Sequence, residues 1–499
     1  MKLKELAASL PGARWAKRAD VEVRGLAYHS GRVRPGDLFV AVPGFRDDGH
    51  NHLKEALERG AGALLVQDPA RLPASLPEGV GVLVVDDSRS AMALAADRFY
   101  RHPSGRLRLV GVTGTNGKTT TAFLLESIFR AAGMRAGLLG TVTYRINGSE
   151  VPVTRTTPEA PDLQAILAEM VGAGVEAAAM EVSSHALDLH RVNGCEFTAA
   201  VFTNLTQDHL DWHGSMEGYY LSKRRLFLPP PGSAMAVRAA AINLDDPWGG
   251  RLLEEMGGRA FTYGTGLTCD LRGRLLELDL RGSRVELLYR GSSLDFRSPL
   301  VGAFNLYNMM AAASAALLLG LDLEKAVEGI QACRGVPGRF QPVEEGQDFA
   351  VVVDYAHTPD SLAQAVRSAR EMSRGKVITV FGCGGDRDRG KRPLMGRYAV
   401  ELSDHVVITS DNPRSEDPLA IISEIEQGIA GLPESERRGS HEVVEDRREA
   451  IRRAISLARP GDVVLIAGKG HETGQVFADR TVPFDDHQVA SELLREARG

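Results

Sequence analysis

Val112-Thr-Gly-Thr-Asn-Gly-Lys-Thr-Thr-Thr121 decides the reading of this 499-residue chain. Before it, the apolar run Leu107-Arg-Leu-Val-Gly111 has the composition of a buried strand. After it, Ala122 to Ala132 carries apolar residues at helical spacing, with Gly133 placed as a stop. Strand, glycine loop, Lys-Thr and helix in this order form a phosphate-binding arrangement. Glycines let backbone N–H groups close around phosphate oxygens, and the helix N-terminus adds partial positive charge. In such a loop Lys118 reaches the β- and γ-phosphates and Thr119 offers its hydroxyl to Mg²⁺. The longer pattern GxxxxGK[ST] is not met, because Gly111 sits one residue too early and Gly114 three residues before Gly117. The fit is to the shorter form TGTNGKT.

Outward from this loop the chain divides at two turn clusters, Pro103-Ser-Gly105 and Gly335-Val-Pro-Gly338. The expected fold class is α/β in three domains. Residues 1–105 form a small α/β domain, with strands at Asp37–Val42 and Gly62–Val66 and helices at Leu53–Arg59 and Ser90–Tyr100. Residues 106–335 form a central phosphate-loop ATPase domain, whose parallel sheet includes Val175–Met180 and Ala199–Thr203. Alternating segments over 271–300 add hairpins to it, and a helix follows at Asn308–Leu319. Residues 336–499 form a Rossmann-like domain, with strands at Ala350–Val353, Val377–Phe381, Val406–Ser410 and Val463–Ala467. Its functional loops are expected at the strand C-termini.

Composition excludes several classes. Hydrophobic residues make up 43% and charged residues 25%, as in an ordinary globular protein. A net charge of −6 speaks against a general nucleic-acid or anionic-membrane binder. MKLKELAASLPGARW is too poor in apolar residues for a signal peptide, and no run approaches a transmembrane span. The four cysteines (195, 269, 333, 383) include no CxxC pair and read as reduced thiols of a cytoplasmic protein. A monomer is the expectation.

The chemistry-bearing residues cluster after strands. Glu181, in Met180-Glu-Val-Ser-Ser-His185, sits at a strand end. Asn204-Leu-Thr-Gln-Asp-His-Leu-Asp-Trp-His213 brings Asp208, His209, Asp211 and His213 together, a set that suits Mg²⁺ beside phosphate. Helix capping by some of the four is the plainer reading, and zinc on His209 and His213 is a further option. Lys223, within Ser-Lys-Arg-Arg, reads by itself as part of a solvated basic face. In the third domain Asp354-Tyr-Ala-His-Thr-Pro-Asp-Ser361, Gly382-Cys-Gly-Gly-Asp-Arg-Asp-Arg-Gly-Lys-Arg392, Asp411-Asn-Pro-Arg414 and Gly468-Lys-Gly-His-Glu472 each follow a strand. Arg414, on a loop stiffened by Pro413, is a natural carboxylate clamp, since guanidinium binds carboxylate through two parallel hydrogen bonds.

Over essentially its whole length the chain resembles the Mur ligases, ATP-dependent amide-forming enzymes of bacterial cell-wall precursor synthesis. The resemblance is carried by TGTNGKTT (113–120), TRTTP (154–158), MEVSSHAL (180–187), FTNLTQDHLDWHG (202–214), Ser222-Lys223, GAFNLYN (302–308), VDYAHTPDSL (353–362), FGCGGDRDRGKRP (381–393), DNPR (411–414) and AGKGHE (467–472). The last four resemble the branch that extends UDP-N-acetylmuramoyl-L-alanyl-D-glutamate by its third stem-peptide residue, and DNPR resembles the enzymes that add meso-2,6-diaminopimelate. The resemblance implies phosphorylation of the D-Glu carboxylate by ATP with Mg²⁺, amine attack on the acyl phosphate, and domain closure that keeps water away.

It also implies roles for individual residues. Thr113, Gly114, Thr115, Asn116, Gly117, Lys118 and Thr119 bind ATP, and Asn308, Arg339 and Asp354 contact adenine, phosphate and ribose. Thr119, Glu181, His209 and Lys223 hold Mg²⁺, with Lys223 carbamylated into a carboxylate-like ligand; Lys118, Glu181, His209 and Lys223 are the catalytic set. Ser30, Thr156, Thr157, Ser183 and Arg191 contact the UDP-sugar-dipeptide. Arg387, Asp411, Asn412, Pro413, Arg414, Gly468 and Glu472 form the diaminopimelate pocket, where Arg414 clamps the distal carboxylate that lysine lacks.

Three positions depart from the family pattern. Tyr28-His-Ser-Gly-Arg32 stands for Asp-Ser-Arg, Gln341 for a Glu, and His471-Glu-Thr-Gly-Gln475 lacks a Tyr. The nearest alternative is a lysine-adding ligase, against which Arg414 argues. A D-Ala-D-Ala-adding ligase or a folylpolyglutamate synthetase shares the ATP loop but not DNPR with GKGHE. A non-catalytic nucleotide-binding scaffold predicts damage at Lys118, Glu181 or Lys223, and all three are intact; a GTPase switch needs an NKxD that the chain lacks.

Overall fold

The computed structural model describes residues 1–44, 47–153, 155–230, 233–279 and 281–497. By internal contacts it divides into two units. The first comprises Met1–Thr113, Gly133–Val201 and Leu221–Ala240, and the second Gly114–Ala132, Phe202–Tyr220 and Ala241–Gly499.

The first unit opens with a five-stranded sheet in the order Arg14–Lys17, Gly81–Val84, Ala63–Val66, Leu38–Val40, Leu26–Ala27, antiparallel only at its first pair. Successive side chains take opposite faces, as strand geometry requires. Leu38, Val40, Ala63 and Leu65 pack with Leu3, Leu6 and Met92, while Phe39, Ala41, Leu64 and Val66 pack with Leu53 and Ala56. Both faces are therefore covered, which is why these strands are continuously apolar. The helix Leu53–Glu58 is capped by Arg59 and stopped by Gly60 at φ +92°. In the remainder of this unit Ala177–Glu181 pairs in parallel with Arg108–Thr113 on one side and Ala136–Leu139 on the other. Both Thr113 and Glu181 thus end strands that run the same way.

In the second unit the helix Lys118–Ala131 starts four residues earlier than its apolar periodicity indicates, because Gly117 in the left-handed region starts the helix directly after the loop. It packs against the helices Asn305–Leu318 and Leu323–Ala332. The expected hairpins are the strands Leu271–Asp279, Gly282–Tyr289 and Ser292–Ser298, paired antiparallel. A six-stranded sheet follows, ordered Gln341–Pro342, Ala350–Asp354, Val463–Ala467, Val377–Phe381, His405–Ile408, Ser440–Val443; only its first pair is antiparallel. Val352 faces one core with Leu362, Val366 and Ile425, and its neighbours Val351 and Val353 face the other with Ile451 and Leu493. The last strand in sequence, Val463–Ala467, inserts between Ala350–Asp354 and Val377–Phe381. Because these strands and His405–Ile408 all run parallel, the loops after Asp354, Phe381, Ile408 and Ala467 leave the same sheet edge, where ligands of open α/β sheets bind. Among the described residues no helix is long and apolar enough to cross a membrane.

Candidate active site

The phosphate loop is shaped by backbone. Gly114 lies at φ +148° and Gly117 at +87°; a Cβ on the first would fall 1.9 Å from Thr203 Oγ1, and on the second 2.3 Å from Asn308 Oδ1. The segment that crowds them also fixes them. Thr203 Oγ1 donates to Asn116 O (2.6 Å), Asn116 N donates to Asn204 Oδ1 (2.9 Å), and Thr115 N donates to Asn204 O (2.9 Å). Lys118 Nζ donates to the carbonyls of Gly114 (2.9 Å) and Thr115 (2.7 Å), curling over the loop it serves. Arg339 donates to Thr119 Oγ1 (3.0 Å) and lies 4.6 Å over the Tyr355 ring, while its buried Nε has no hydrogen-bond partner among the described residues. Asp354 accepts from Phe340 N (2.7 Å) and Ala356 N (2.8 Å). Burial raises this carboxyl above its ordinary value, with Arg339 working the other way. Loop 114–119, Asn308, Arg339 and Asp354 are thus gathered in one unit. Glycines that admit no Cβ, inward backbone, and an arginine with a spare buried donor fit a polyphosphate.

His209 belongs to the same unit. It lies 3.4 Å from Asp208 and meets the Tyr219 ring edge-on at 6.0 Å, while His213 stacks on the same Tyr219 ring at 4.9 Å. Burial alone would raise Asp208, but His209, His357 and Lys391 hold it below the usual carboxylate value. Among the described residues no three His, Cys, Asp or Glu side chains gather as metal donors, so no zinc cage forms around His209 and His213. Mg²⁺ makes a different demand: few protein donors, with waters and phosphates completing its shell.

In the first unit Glu181 is buried. Thr141 N (2.7 Å) and Thr141 Oγ1 (3.1 Å) donate to its carboxylate. Thr156 Oγ1 lies 3.1 Å from Thr141 Oγ1; Thr157 Oγ1 donates to Glu181 O (2.8 Å) and accepts from Ser183 N (3.2 Å). Arg191 pairs with Glu159 at 2.8 Å and donates to Thr157 O at 3.2 Å. Arg191 Nε and Glu159 Oε2 are buried without hydrogen-bond partners among the described residues. Thr156, Thr157, Ser183, Glu181 and Arg191 are therefore one network, and Thr154 of their motif lies outside the described residues. Ser30, buried at the start of a short 3-10 helix, lines a cavity of about 490 Å³ together with Arg89, Arg155, Glu159, Leu189 and Arg191. Lys223 is a correction to the solvated-face reading: it is 1% exposed, on a helix whose Ser222 Oγ donates to Ser184 O at 2.9 Å. A lysine so buried needs a partner or a change of charge, and a carbamate would convert it to an oxygen ligand.

The third group lies where the six-stranded sheet's loops emerge. Asp411 and Asn412 are buried, and burial raises the Asp411 carboxyl while Arg447 and Lys469 oppose the rise. Gly468 is at φ +116°, and a Cβ there would fall 2.7 Å from Asp411 Oδ2. Asn412 Nδ2 donates to Glu472 Oε2 (2.7 Å), and Arg414 donates to Gly385 O (2.7 Å). Arg387 is exposed on the glycine-rich loop, near enough for its charge to act on Arg414. Sequence reading missed the supports. Arg447 and Asp486 form a fully buried pair (2.6 Å), and Arg447 also donates to Ala467 O (3.0 Å). Thr141, Glu159 and Lys469 also carry structure. Lys469 lay inside a quoted motif; the others carry no local signal beyond following or starting an element.

Three family models match the chain. Residues 22–100 match the model described as Mur ligase family, catalytic domain; 112–316 match Mur ligase middle domain; 338–470 match Mur ligase, glutamate ligase domain. The chain belongs to the Mur ligase family. Among its relatives, the UDP-N-acetylmuramoyl-L-alanyl-D-glutamate--2,6-diaminopimelate ligase of Geobacillus thermodenitrificans is 45% identical over 100% of both chains. The protein of the same name from Solibacter usitatus is 47% identical over 99% of this chain and 98% of its own. A solved structure of a ligase with that name is 32% identical, with TM-score 0.69 over 100% of this chain and 99% of its own. MurF ligase from Thermotoga maritima in complex with ADP, 20% identical over 96% of this chain and 99% of its own, shares the fold with TM-score 0.63. The chain is thus an ATP-dependent, amide-bond-forming Mur ligase with three family domains.

Proposed function

We propose that this ligase joins meso-2,6-diaminopimelate to the D-Glu carboxylate of UDP-N-acetylmuramoyl-L-alanyl-D-glutamate, using ATP and Mg²⁺, in peptidoglycan precursor synthesis. The observation that carries the choice of amino acid is the charge layout at the sheet edge. Guanidiniums of Arg387 and Arg414 stand with carboxylates of Asp411 and Glu472, which suits a distal centre bearing both a carboxylate and an ammonium. Lysine offers only the ammonium and would leave Arg414 unanswered. The full-length relatives carry the name of the same reaction.

The residues divide the work. Backbone N–H groups of 114–119 and Lys118 hold the phosphates, Arg339 steadies the terminal one, and Asn308 and Asp354 orient the nucleoside. Thr119, Glu181, His209 and the carbamylated Lys223 are assigned to Mg²⁺, which when bound neutralises phosphate charge. Ser30, Thr156, Thr157, Ser183 and Arg191 bind the nucleotide-linked dipeptide. The incoming amine must be neutral to attack the acyl phosphate, so its proton leaves to solvent or a carboxylate first. Segments 1–105, 106–335 and 336–499 are the functional domains we assign. The cytoplasm, source of both nucleotides, is the proposed location, with no nucleic acid or membrane partner and a monomeric chain.

Phosphate release with Mg-ATP and the UDP-linked dipeptide tests this, comparing meso-diaminopimelate, L-lysine and no amino acid. Release with diaminopimelate alone, with the tripeptide seen by mass spectrometry, is the expected result. Release with lysine alone overturns the role of Arg414, and release with neither overturns the reaction. Lys223→Ala should lose most activity and regain part with acetate or bicarbonate; unchanged activity would remove Lys223 from the metal set.

A further inference from the structure

We propose that Lys469 is the positioning residue of the amino-acid pocket: its ammonium ties the Asp411–Arg414 loop to the Gly468–Glu472 loop and aims the Glu472 carboxylate at the ligand's distal ammonium. The inference rests on the ligase reading above. Lys469 is 0% exposed, and its Nζ lies 3.0 Å from Asn412 Oδ1, 3.2 Å from Glu472 Oε2 and 3.7 Å from Asp411 Oδ1. A buried ammonium carries three donors and is tolerated only among acceptors, and here the acceptors come from both loops.

The same contacts set the direction of Glu472. Its Oε2 takes two hydrogen bonds, from Lys469 Nζ and from Asn412 Nδ2 at 2.7 Å, while Oε1 has no hydrogen-bond partner among the described residues. The side chain is 33% exposed, so this free oxygen is the one a ligand can reach. Asn412 cannot turn over to release it. Its Oδ1 accepts from both Lys469 Nζ and Val476 N (3.0 Å), and a flipped amide would place N–H groups against two donors. Lys469 thereby fixes Asn412, and the two together fix Glu472. Its charge also offsets part of the repulsion between Asp411 and Glu472, two carboxylates that share one pocket. Lys469 itself touches no substrate in this scheme and works only through Glu472.

Steady-state kinetics of the full chain with Mg-ATP, the UDP-linked dipeptide and meso-diaminopimelate test the assignment. Lys469→Met is expected to raise the diaminopimelate KM about tenfold or more, with the KM values for ATP and the dipeptide nucleotide within about twofold of the unsubstituted chain. Lys469→Arg, which keeps the charge, should recover part of the loss. In a Glu472→Gln background Lys469→Met should add less than about twofold, because both substitutions remove one interaction. An unchanged diaminopimelate KM, a parallel rise in all three KM values, or full additivity with Glu472→Gln overturns the proposal. If Lys469→Met does not fold, Lys469→Arg carries the test: a severalfold rise confined to diaminopimelate supports it, and no rise overturns it. Failure of the unsubstituted chain to use diaminopimelate strikes the ligase reading instead, so the two failures are distinguishable.

Discussion

The phosphate loop and the amino-acid pocket lie in the same unit and follow opposite plans. The loop is backbone: six contiguous residues, two glycines that admit no Cβ, and a lysine folded onto the carbonyls of Gly114 and Thr115. The pocket is side chain: carboxylates, guanidiniums and a buried ammonium brought from loops that start at 382, 409 and 468. Backbone holds a ligand common to a whole class of enzymes, whereas side chains on separate loops can be exchanged to choose one amino acid. The contrast breaks most sharply at Gly114. Alanine there would meet Thr203 Oγ1 at 1.9 Å in a backbone conformation L-residues rarely adopt. Gly114→Ala should lower kcat by about 100- to 1000-fold, the scale of losing preorganised backbone donors. Activity within about tenfold of the parent, measured by phosphate release, would mean that the loop is not a backbone cradle.

In the pocket, one side chain should change one substrate. Arg414 is half-buried, and one of its guanidinium nitrogens donates to Gly385 O (2.7 Å) and to Asn412 O (3.5 Å), leaving the rest of its fork for a ligand. Arg414→Ala should raise the diaminopimelate KM by about 30- to 150-fold, near the low end for a charge pair because solvent reaches the site. The ATP KM should stay put. Arg414→Lys keeps the charge but loses the planar fork and should fall between. Equal effects on both KM values would erase the distinction between the two regions.

The same contrast explains what could be read from sequence. Thr113–Thr119 was legible because its function is a local backbone conformation, and glycine with lysine and threonine at fixed offsets encodes it. Strands such as Ala350–Asp354 and Val463–Ala467 were legible because both faces are buried, leaving uninterrupted apolar runs. The N-terminus of the Lys118–Ala131 helix was read late, since Lys118 to Thr121 carry no apolar periodicity. The loops of Asp411, Arg414 and Glu472 stood out by composition, but that they share one pocket came only through motif resemblance, because no spacing announces contacts across sixty residues of sequence. The buried Arg447–Asp486 pair and Thr141 against Glu181 were not legible at all: their residue types are those of ordinary surface positions, and only the fold buries them. Lys223 is the same lesson reversed, a cation in a basic stretch that the fold takes out of water.

Gly338 tests whether the two plans are mechanically joined. It precedes Arg339, which reaches Thr119, and a Cβ on it would lie 2.1 Å from His471 N and 2.2 Å from Gly470 C, in the loop that carries Glu472. Gly338→Ala must move one strand of backbone away from the other. We expect the KM values for ATP and diaminopimelate to rise together, by about tenfold or less, as for backbone strain of about 1 kcal/mol. A rise in only one of them would show that the regions answer separately.

The smallest expected effect concerns the loop that leaves Asp354 toward both regions. His357 Nδ1 lies 2.8 Å from Tyr355 O, which makes Nδ1 the donor of the neutral ring, and Lys391 Nζ donates to His357 O at 2.9 Å. Burial, with Lys391 and Arg339 adding to it and Asp208 opposing, lowers the His357 imidazole to about 4. The unfolded chain therefore binds this proton more readily than the folded one, and stability must rise with pH where the two differ. The contribution is complete above about 6.5, the ordinary histidine value, and is lost as pH falls toward 4. His357→Gln keeps a neutral hydrogen-bonding side chain that does not titrate. Its melting temperature should fall less steeply than the parent's between pH 6.5 and 4, by on the order of 1–2 °C, with no difference in slope above pH 7. Equal slopes across the acidic window would mean that His357 is protonated in the folded chain. The loop would then carry a positive charge beside Lys391 and Arg339, and its link to the phosphate region would be electrostatic rather than a matter of packing.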